Sequence, residues 1–284
     1  MVIRVLLVHE SLYLRNEVAS FLDSDDDCRV VASVARPSAA LDKIRQTGPD
    51  IVLLHVDAHN QNVPSEIKRI MSSWPVPILL LADVGSTRSQ KHIFDAIDSG
   101  ALDFISLTHP DTLHTVKSLI LSKTKELAVA RLPDAPSPVS TSNTSQSLAV
   151  DFSHSQSKLI VIGSSTGGPR TLERLLSELP PSIPAPILIV QHMPKGFTAS
   201  FAQRLNKLCS LSVREARDGD IPKNGDVLIA PSGQHMELHA EYGGSPQIKL
   251  NTDPPELGVR PTVNKLFKSS ALVYGPKVIG VVLT

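Results

Sequence analysis

The chain of 284 residues has only two cysteines, Cys28 and Cys209, one in each half. No disulfide framework can be built from them, and such usage fits a reducing cytoplasm, with both thiols read as core or surface groups rather than nucleophiles. Charge of one sign is also missing: 28 Lys and Arg balance 28 Asp and Glu. Nothing therefore draws the chain electrostatically to nucleic acid or anionic lipid. A run of about 20 apolar residues is lacking, as is a basic segment leading into a long apolar one, so neither an integral membrane protein nor a secretory leader is expected. What is left is a neutral protein long enough for two ordinary domains, each with its own core.

The stretch that organises the rest is LIVIGSSTGGP, residues 159–169. Its four leading apolar residues have the composition of a strand buried on both faces of a parallel sheet. The glycines Gly163, Gly167 and Gly168 then permit backbone conformations and close approaches that a side chain forbids. Leu172, Leu175, Leu176 and Leu179 follow at helical spacing. Ser164, Ser165 and Thr166 thus fall on a strand-to-helix turn whose backbone amides point outward. Such a turn can be a nucleophile elbow, a phosphate-cradling loop or an ordinary βα connection. No Gly-Lys-Ser/Thr follows and the spacing is not GxGxxG, which weakens the nucleotide reading.

In the first half, strand-like runs at 3–8, 29–34, 51–56, 78–81 and 102–105 alternate with helix-like stretches at 12–22, 39–45, 64–72, 91–99 and 112–127. Alternation of this kind predicts a parallel sheet covered on both faces, with function at the carboxyl ends of its strands. The phrases VLLVHES, GPDIVLLHVDA, PVPILLLAD and SGALDFI resemble a response-regulator receiver domain over about residues 1–125. By that resemblance, two acids belong where His9 and Glu10 stand, an acceptor aspartate at His55, a hydroxyl residue at Ala82 and a lysine at Leu107. Only Glu10 keeps the expected chemistry. Aspartyl phosphorylation needs a carboxylate nucleophile, Mg²⁺ on hard oxygen ligands and a cation facing the phosphate. A receiver-shaped module with a degenerate phosphoacceptor pocket is therefore expected, one that takes no phosphate on aspartate. His9, Glu10, His55 and His59 could alternatively gather as a transition-metal site.

Residues 126–157 are rich in Pro, Ser and Thr and poor in large apolar residues, the composition of a flexible linker. Beyond them, strands are expected at 186–190, 211–216, 226–230 and 236–239, with a helix at 197–205 and a hairpin through Tyr242-Gly243-Gly244 to 247–250. His192 follows its strand directly. Strand ends share one rim in a parallel sheet, so an imidazole there can reach Ser165 and accept its proton.

The phrases VIGSSTGGPRTL, IVQHMPKGFTASFAQRL, RDGDIPKNGDVLIAPSGQHMEL and RPTVNKLFKSSA resemble the catalytic domain of the chemotaxis protein-glutamate methylesterases, the CheB family, over 158–284. The implied whole is α/β in two domains: an N-terminal (βα)5 receiver-like sheet, 1–125, and a C-terminal doubly wound parallel-sheet esterase domain. Ser165 is then the nucleophile, His192 the general base and acid, and Thr166 with Gly167 and the amides of the turn the oxyanion support. Methylated glutamates of chemoreceptors are the implied substrates, glutamine deamidation is the companion reaction, and neither metal nor organic cofactor is implied. A histidine-kinase pathway remains a possible partner, without aspartyl phosphate.

Two departures stand out. Pro261-Thr262-Val263-Asn264 replaces the family's Pro-Ser-Val-Asp. The run VIGVVL at 278–283 reads as a central strand, and the family's triad aspartate is expected beyond Thr284, leaving the catalytic domain incomplete at its C-terminus. Asp218, Asp220 and Asp253 are the conceivable substitutes. Beside the esterase, two alternatives stay open: an inactive receptor-binding adaptor and a nucleotide-binding module.

Overall fold

The computed structural model describes residues 2–57, 62–84, 87–107, 113–130, 158–240 and 244–283. They fall into two compact units, divided between Asn143 and Thr144. The expected hairpin tip at Tyr242 and Gly243, His59, and the linker from residue 131 onward lie outside the described residues.

In the first unit β1 (Ile3–Val8), β2 (Cys28–Val34), β3 (Ile51–Val56), β4 (Ile78–Ala82) and β5 (Asp103–Ser106) form one sheet in the order β2-β1-β3-β4-β5. Every pairing is parallel. The crossovers are α1 (Leu12–Asp23), α2 (Ala40–Thr47), α3 (Val63–Ser73) and α4 (Thr87–Asp98), and α5 (Leu113–Ala128) follows β5. Strand alternation splits the apolar residues between two faces. Val5, Leu7, Ile51, Leu53, Leu79 and Leu81 pack on Val18, Leu22, Ile120 and Leu127 of α1 and α5. Leu6, Val52, Leu54 and Leu80 are equally buried on the other face, which α2 and α4 cover. Each fully buried side chain of this kind contributes about 1.5–3 kcal/mol. Helix α5 continues through Ala128, so the first residues of the expected linker are helical.

The second unit holds β6 (Leu159–Ser164), α6 (Gly168–Glu178), β7 (Ile187–Gln191), α7 (Phe197–Leu208), β8 (Ser212–Glu215), β9 (Asp226–Ile229), the antiparallel pair β10 (His235–His239) and β11 (Gln247–Asn251), α8 (Val263–Tyr274) and β12 (Val278–Leu283). Its parallel sheet runs β12-β6-β7-β9-β8. Leu159, Val161, Leu188, Val190 and Leu228 meet Met236, Leu238, Ile248 and Leu266 from the hairpin and α8. On the opposite face lie buried Ile162, Ile187 and Ile189, with Leu172 and Leu176 of α6 and Phe197, Phe201 and Leu205 of α7.

One expectation is corrected. Helix α6 begins at Gly168, ahead of the leucine pattern, because Pro169 presets helical φ and gives up only an amide that has no intrahelical partner. Among the described residues β12 pairs with β6, in parallel.

Candidate active site

Strand register builds the site. Ser164 of β6 is the partner of Gln191 of β7, so the residues that follow them, Ser165 and His192, emerge side by side at one rim. The His192 amide donates to the Ser164 carbonyl at 3.1 Å, extending the ladder past the strand ends. Ser165 Oγ and His192 Nδ1 stand 3.2 Å apart, and both residues are half-buried. For Nδ1 to take the hydroxyl proton, the neutral ring must carry its hydrogen on Nε2, an atom the fold shields from solvent.

Three glycines shape the turn for different reasons. Gly167 is the N-cap of α6 at φ +70°, a left-handed conformation that disfavours a β-carbon. A β-carbon on Gly163 would stand 2.4 Å from Val263 Cγ1, and one on Gly168 2.0 Å from Gln191 Oε1 and 2.3 Å from Ser164 Oγ. Those two positions are needed for close approach. Thr166 is buried in the turn, ahead of the N-terminus of α6, where partial positive charge gathers.

Gln191 escaped the sequence reading. It is 1% exposed, and its Nε2 donates to the carbonyls of Ser165 at 2.9 Å and of His192 at 3.1 Å. Both partners can only accept, which assigns the nitrogen and oxygen of the amide chemically. One side chain thus clamps the backbones of the nucleophile and the base. The available signal was a polar residue closing a fully apolar strand, since a buried amide needs partners. Behind His192, Ser232 Oγ donates to the Met193 carbonyl at 2.6 Å and anchors that loop.

The Pro-Thr-Val-Asn departure also finds a place. Thr262 caps α8 by accepting from the Asn264 amide at 3.4 Å, so the hydroxyl of the family's serine is kept. Its own amide donates to Nδ1 of fully buried His235. The three substitute acids are engaged in structural roles. Asp218 accepts from the Leu250 amide and pairs with Lys249, Asp220 pairs with Arg214, and Asp253 pairs with Lys265.

Residues 160–284 match the family description "CheB methylesterase". Over 291 residues the chain is 37% identical to the protein-glutamate methylesterase/protein-glutamine glutaminase of Sulfurimonas denitrificans, covering 100% of this chain and 82% of that one. The protein of the same name from Halalkalibacterium halodurans is 36% identical over 288 residues, with 99% and 81% covered. The chain belongs to the CheB methylesterase family. Among solved structures, the catalytic domain of Thermotoga maritima CheB methylesterase is 45% identical over 46% of this chain and 68% of that one, with a TM-score of 0.44.

The other rim of interest in this CheB-family chain is the receiver-like pocket. His9 and His55 stack with ring centroids 3.9 Å apart and planes at 21°. Burial, with His55 beside it, pushes the His9 imidazole down from 6.5 to about 3, and burial likewise lowers His55. Glu10 is exposed. Ala82 is fully buried, and Leu107 packs against the core while its amide donates to the Ala82 carbonyl at 2.7 Å. These residues do not fit Mg²⁺ and phosphate: imidazoles replace hard oxygen ligands, and Leu107 offers no cation. Of the metal grouping anticipated from His9, Glu10, His55 and His59, the last lies outside the described residues. Among the described residues the grouped ligand atoms belong to Glu10, His55 and Asp57, while His9 Nδ1 is occupied by the Ser11 amide. Asp57 was missed, although strand alternation puts it on the side of His55, two residues back.

Proposed function

We propose that this chain is a protein-glutamate methylesterase and glutamine deamidase, with residues 158–284 as its catalytic domain and methylated chemoreceptors as its substrates. The observation that carries the reading is the 3.2 Å approach of Ser165 Oγ to His192 Nδ1. In this mechanism Ser165 Oγ attacks the side-chain ester carbonyl as its proton passes to His192. The tetrahedral oxyanion is held by Thr166, the turn amides and the N-terminal end of α6. Collapse breaks the C–O bond, His192 returns the proton to the leaving methoxide, and methanol departs from an acyl-Ser165. Water, deprotonated by His192, then releases glutamate. With a glutamine substrate the same steps expel ammonia. No step calls on a metal or an organic cofactor.

Among the described residues no helix is long and apolar enough to cross a membrane, which agrees with a cytoplasmic enzyme working on the inner end of its receptor. Residues 1–125 form the pseudo-receiver in this reading, and 126–157 connect it. Input from a histidine kinase reaches it by a route other than aspartyl phosphate, because His55 cannot form one and Leu107 cannot balance its charge. The adaptor alternative finds no support: the hydroxyl, imidazole and buried clamp are all assembled.

The deciding experiment measures methanol released from methylated receptor by this chain and by Ser165→Ala. Release by the parent chain and its loss in the variant support the assignment, and equal rates remove Ser165 from the chemistry.

A further inference from the structure

The strands β6, β7, β9 and β8 are neighbours in that order, and their carboxyl ends share one rim. Ser165 and His192 follow β6 and β7 directly, Ser232 stands three residues past β9, and Glu215 is the last residue of β8. The hydrolysis gives Glu215 no step of its own, yet a line of hydrogen bonds joins it to the loop of the base. Thr198, the second residue of α7, donates its hydroxyl to Glu215 Oε1 at 2.5 Å. The same Thr198 oxygen accepts the Ser232 amide at 3.1 Å, and Ser232 Oγ donates to the Met193 carbonyl at 2.6 Å. Every direction is fixed, because a carboxylate and a carbonyl only accept and each hydroxyl has one hydrogen to give. Bonds that share a hydroxyl in this way polarise and strengthen one another.

Two observations separate this line from ordinary loop packing. Thr198 is 1% exposed, and a hydroxyl so buried is costly unless its bonds are made. Valine would fill the same space, so what the hydroxyl adds is the link. The link also lands beside the peptide groups that are already held. The His192 amide is bound to the Ser164 carbonyl and the His192 carbonyl to Gln191, and the next carbonyl along, that of Met193, is the one Ser232 takes. The backbone is thus fixed on both sides of the imidazole, from β6 and β7 on one side and from β9 and β8 on the other. An imidazole that must face Ser165 Oγ at 3.2 Å tolerates little movement of that backbone. Glu215 is well placed as the anchor: the first turn of α7 has no acid of its own, and negative charge is favoured there.

We propose that Glu215, Thr198 and Ser232 are positioning residues for His192. The Glu215 carboxylate holds the Thr198 hydroxyl, Thr198 holds Ser232, and Ser232 sets the peptide that follows the base. They act on the rate through the imidazole rather than through substrate binding. The inference rests on the reading of His192 as general base.

The test compares the full chain with Thr198→Val, Thr198→Ser, Ser232→Ala and Glu215→Ala. Three quantities are read: methanol release from methylated receptor, melting temperature, and the NMR resonances of the His192 ring nitrogens, identified by their loss in His192→Gln. Thr198→Val and Ser232→Ala should each lower kcat by roughly 10–100-fold with KM near the parent value. Their His192 resonances should move toward those of a free imidazole, and Glu215→Ala should shift rate and resonances in the same direction. Thr198→Ser keeps the hydroxyl and should keep most of the parent rate and the parent resonances. Ser232→Ala removes only a hydroxyl from a half-buried loop, so it reads the link in an intact fold should the buried Thr198→Val lower the melting temperature. Parent rates and resonances in Thr198→Val, Ser232→Ala or Glu215→Ala overturn the proposal. So does a Thr198→Ser as slow as Thr198→Val, which would make side-chain shape responsible, and so does a change in KM alone, which would place the loop in substrate binding. The ring resonances need no turnover, so they judge the link even where Ser165→Ala releases methanol as fast as the parent and the esterase reading itself fails.

Discussion

Ser165 Oγ faces His192 Nδ1 at 3.2 Å because the residues preceding them, Ser164 and Gln191, are register partners on adjacent parallel strands. The pair is therefore one device set by backbone pairing. Groups that act as a unit lose nearly everything when either is removed. Ser165→Ala and His192→Gln should each lower kcat for methyl-ester hydrolysis by roughly 10⁴–10⁶, and the double variant should be no slower than the worse single one. Steady-state rates on methylated receptor check this. Multiplicative losses would mean that the two side chains act separately.

Gln191 supports that pair without touching substrate. Its amide bridges the Ser165 and His192 carbonyls from a fully buried position, so Gln191→Ala removes a donor from each, the Ser165 carbonyl keeping only the Gly168 amide at 3.0 Å. Lost stability of about 1–3 kcal/mol is expected from that change. Misplacement of the hydroxyl and imidazole should lower kcat by roughly 10–100-fold while KM stays near the parent value. Gln191→Glu should be worse than alanine, since a carboxylate would oppose both carbonyl oxygens. A KM effect without a kcat effect would assign Gln191 to substrate binding instead.

Much of this was legible in the sequence. The order of strands and helices follows from the length and spacing of apolar runs, and Ser165 and His192 were found because both follow buried strands directly. Gln191 was not, since its partners are backbone carbonyls that any sequence has. Asp57 was missed because its relation to Glu10 spans two strands whose neighbourhood only the β1–β3 pairing defines. His9 and His55 were read as lost function, and their stacking and burial could not be foreseen from residue type.

Burial of the two stacked imidazoles has a pH signature. Unfolded His9 protonates near pH 6.5 but in the fold only near 3. Between those values the unfolded chain binds a proton that the native chain does not, so stability is full above about pH 6.5 and falls as pH drops. His55, also lowered, adds in the same direction. From His9 alone the loss is about 1.4 kcal/mol per pH unit. Trp74, the single tryptophan, lies in the N-terminal unit and reports its unfolding. Denaturant midpoints in chelator should fall from pH 7.5 to 5.5, and His9→Phe should flatten the dependence. Midpoints that rise toward acid would contradict the burial of neutral rings.

Val263, the first residue of α8, reaches the catalytic turn through Gly163. A β-carbon at 163 would lie 2.4 Å from Val263 Cγ1 and 2.8 Å from its Cγ2. Valine is short and stiff at χ1, so it cannot swing aside as a long side chain could. Either β6 or α8 must move. Gly163→Ala should therefore cost about 1–3 kcal/mol, and activity should fall as well, because Ser165 is only two residues further along, just past the end of that strand. Val263→Ala alone opens space at a partly buried site and should destabilise modestly. In the double variant the new methyl occupies the space that valine vacates, so its loss should be smaller than the sum of the two single losses by about 0.5–3 kcal/mol. Thermal unfolding of the four chains gives this coupling directly. Strict additivity would mean that Gly163 is required for its backbone conformation rather than for the approach of α8.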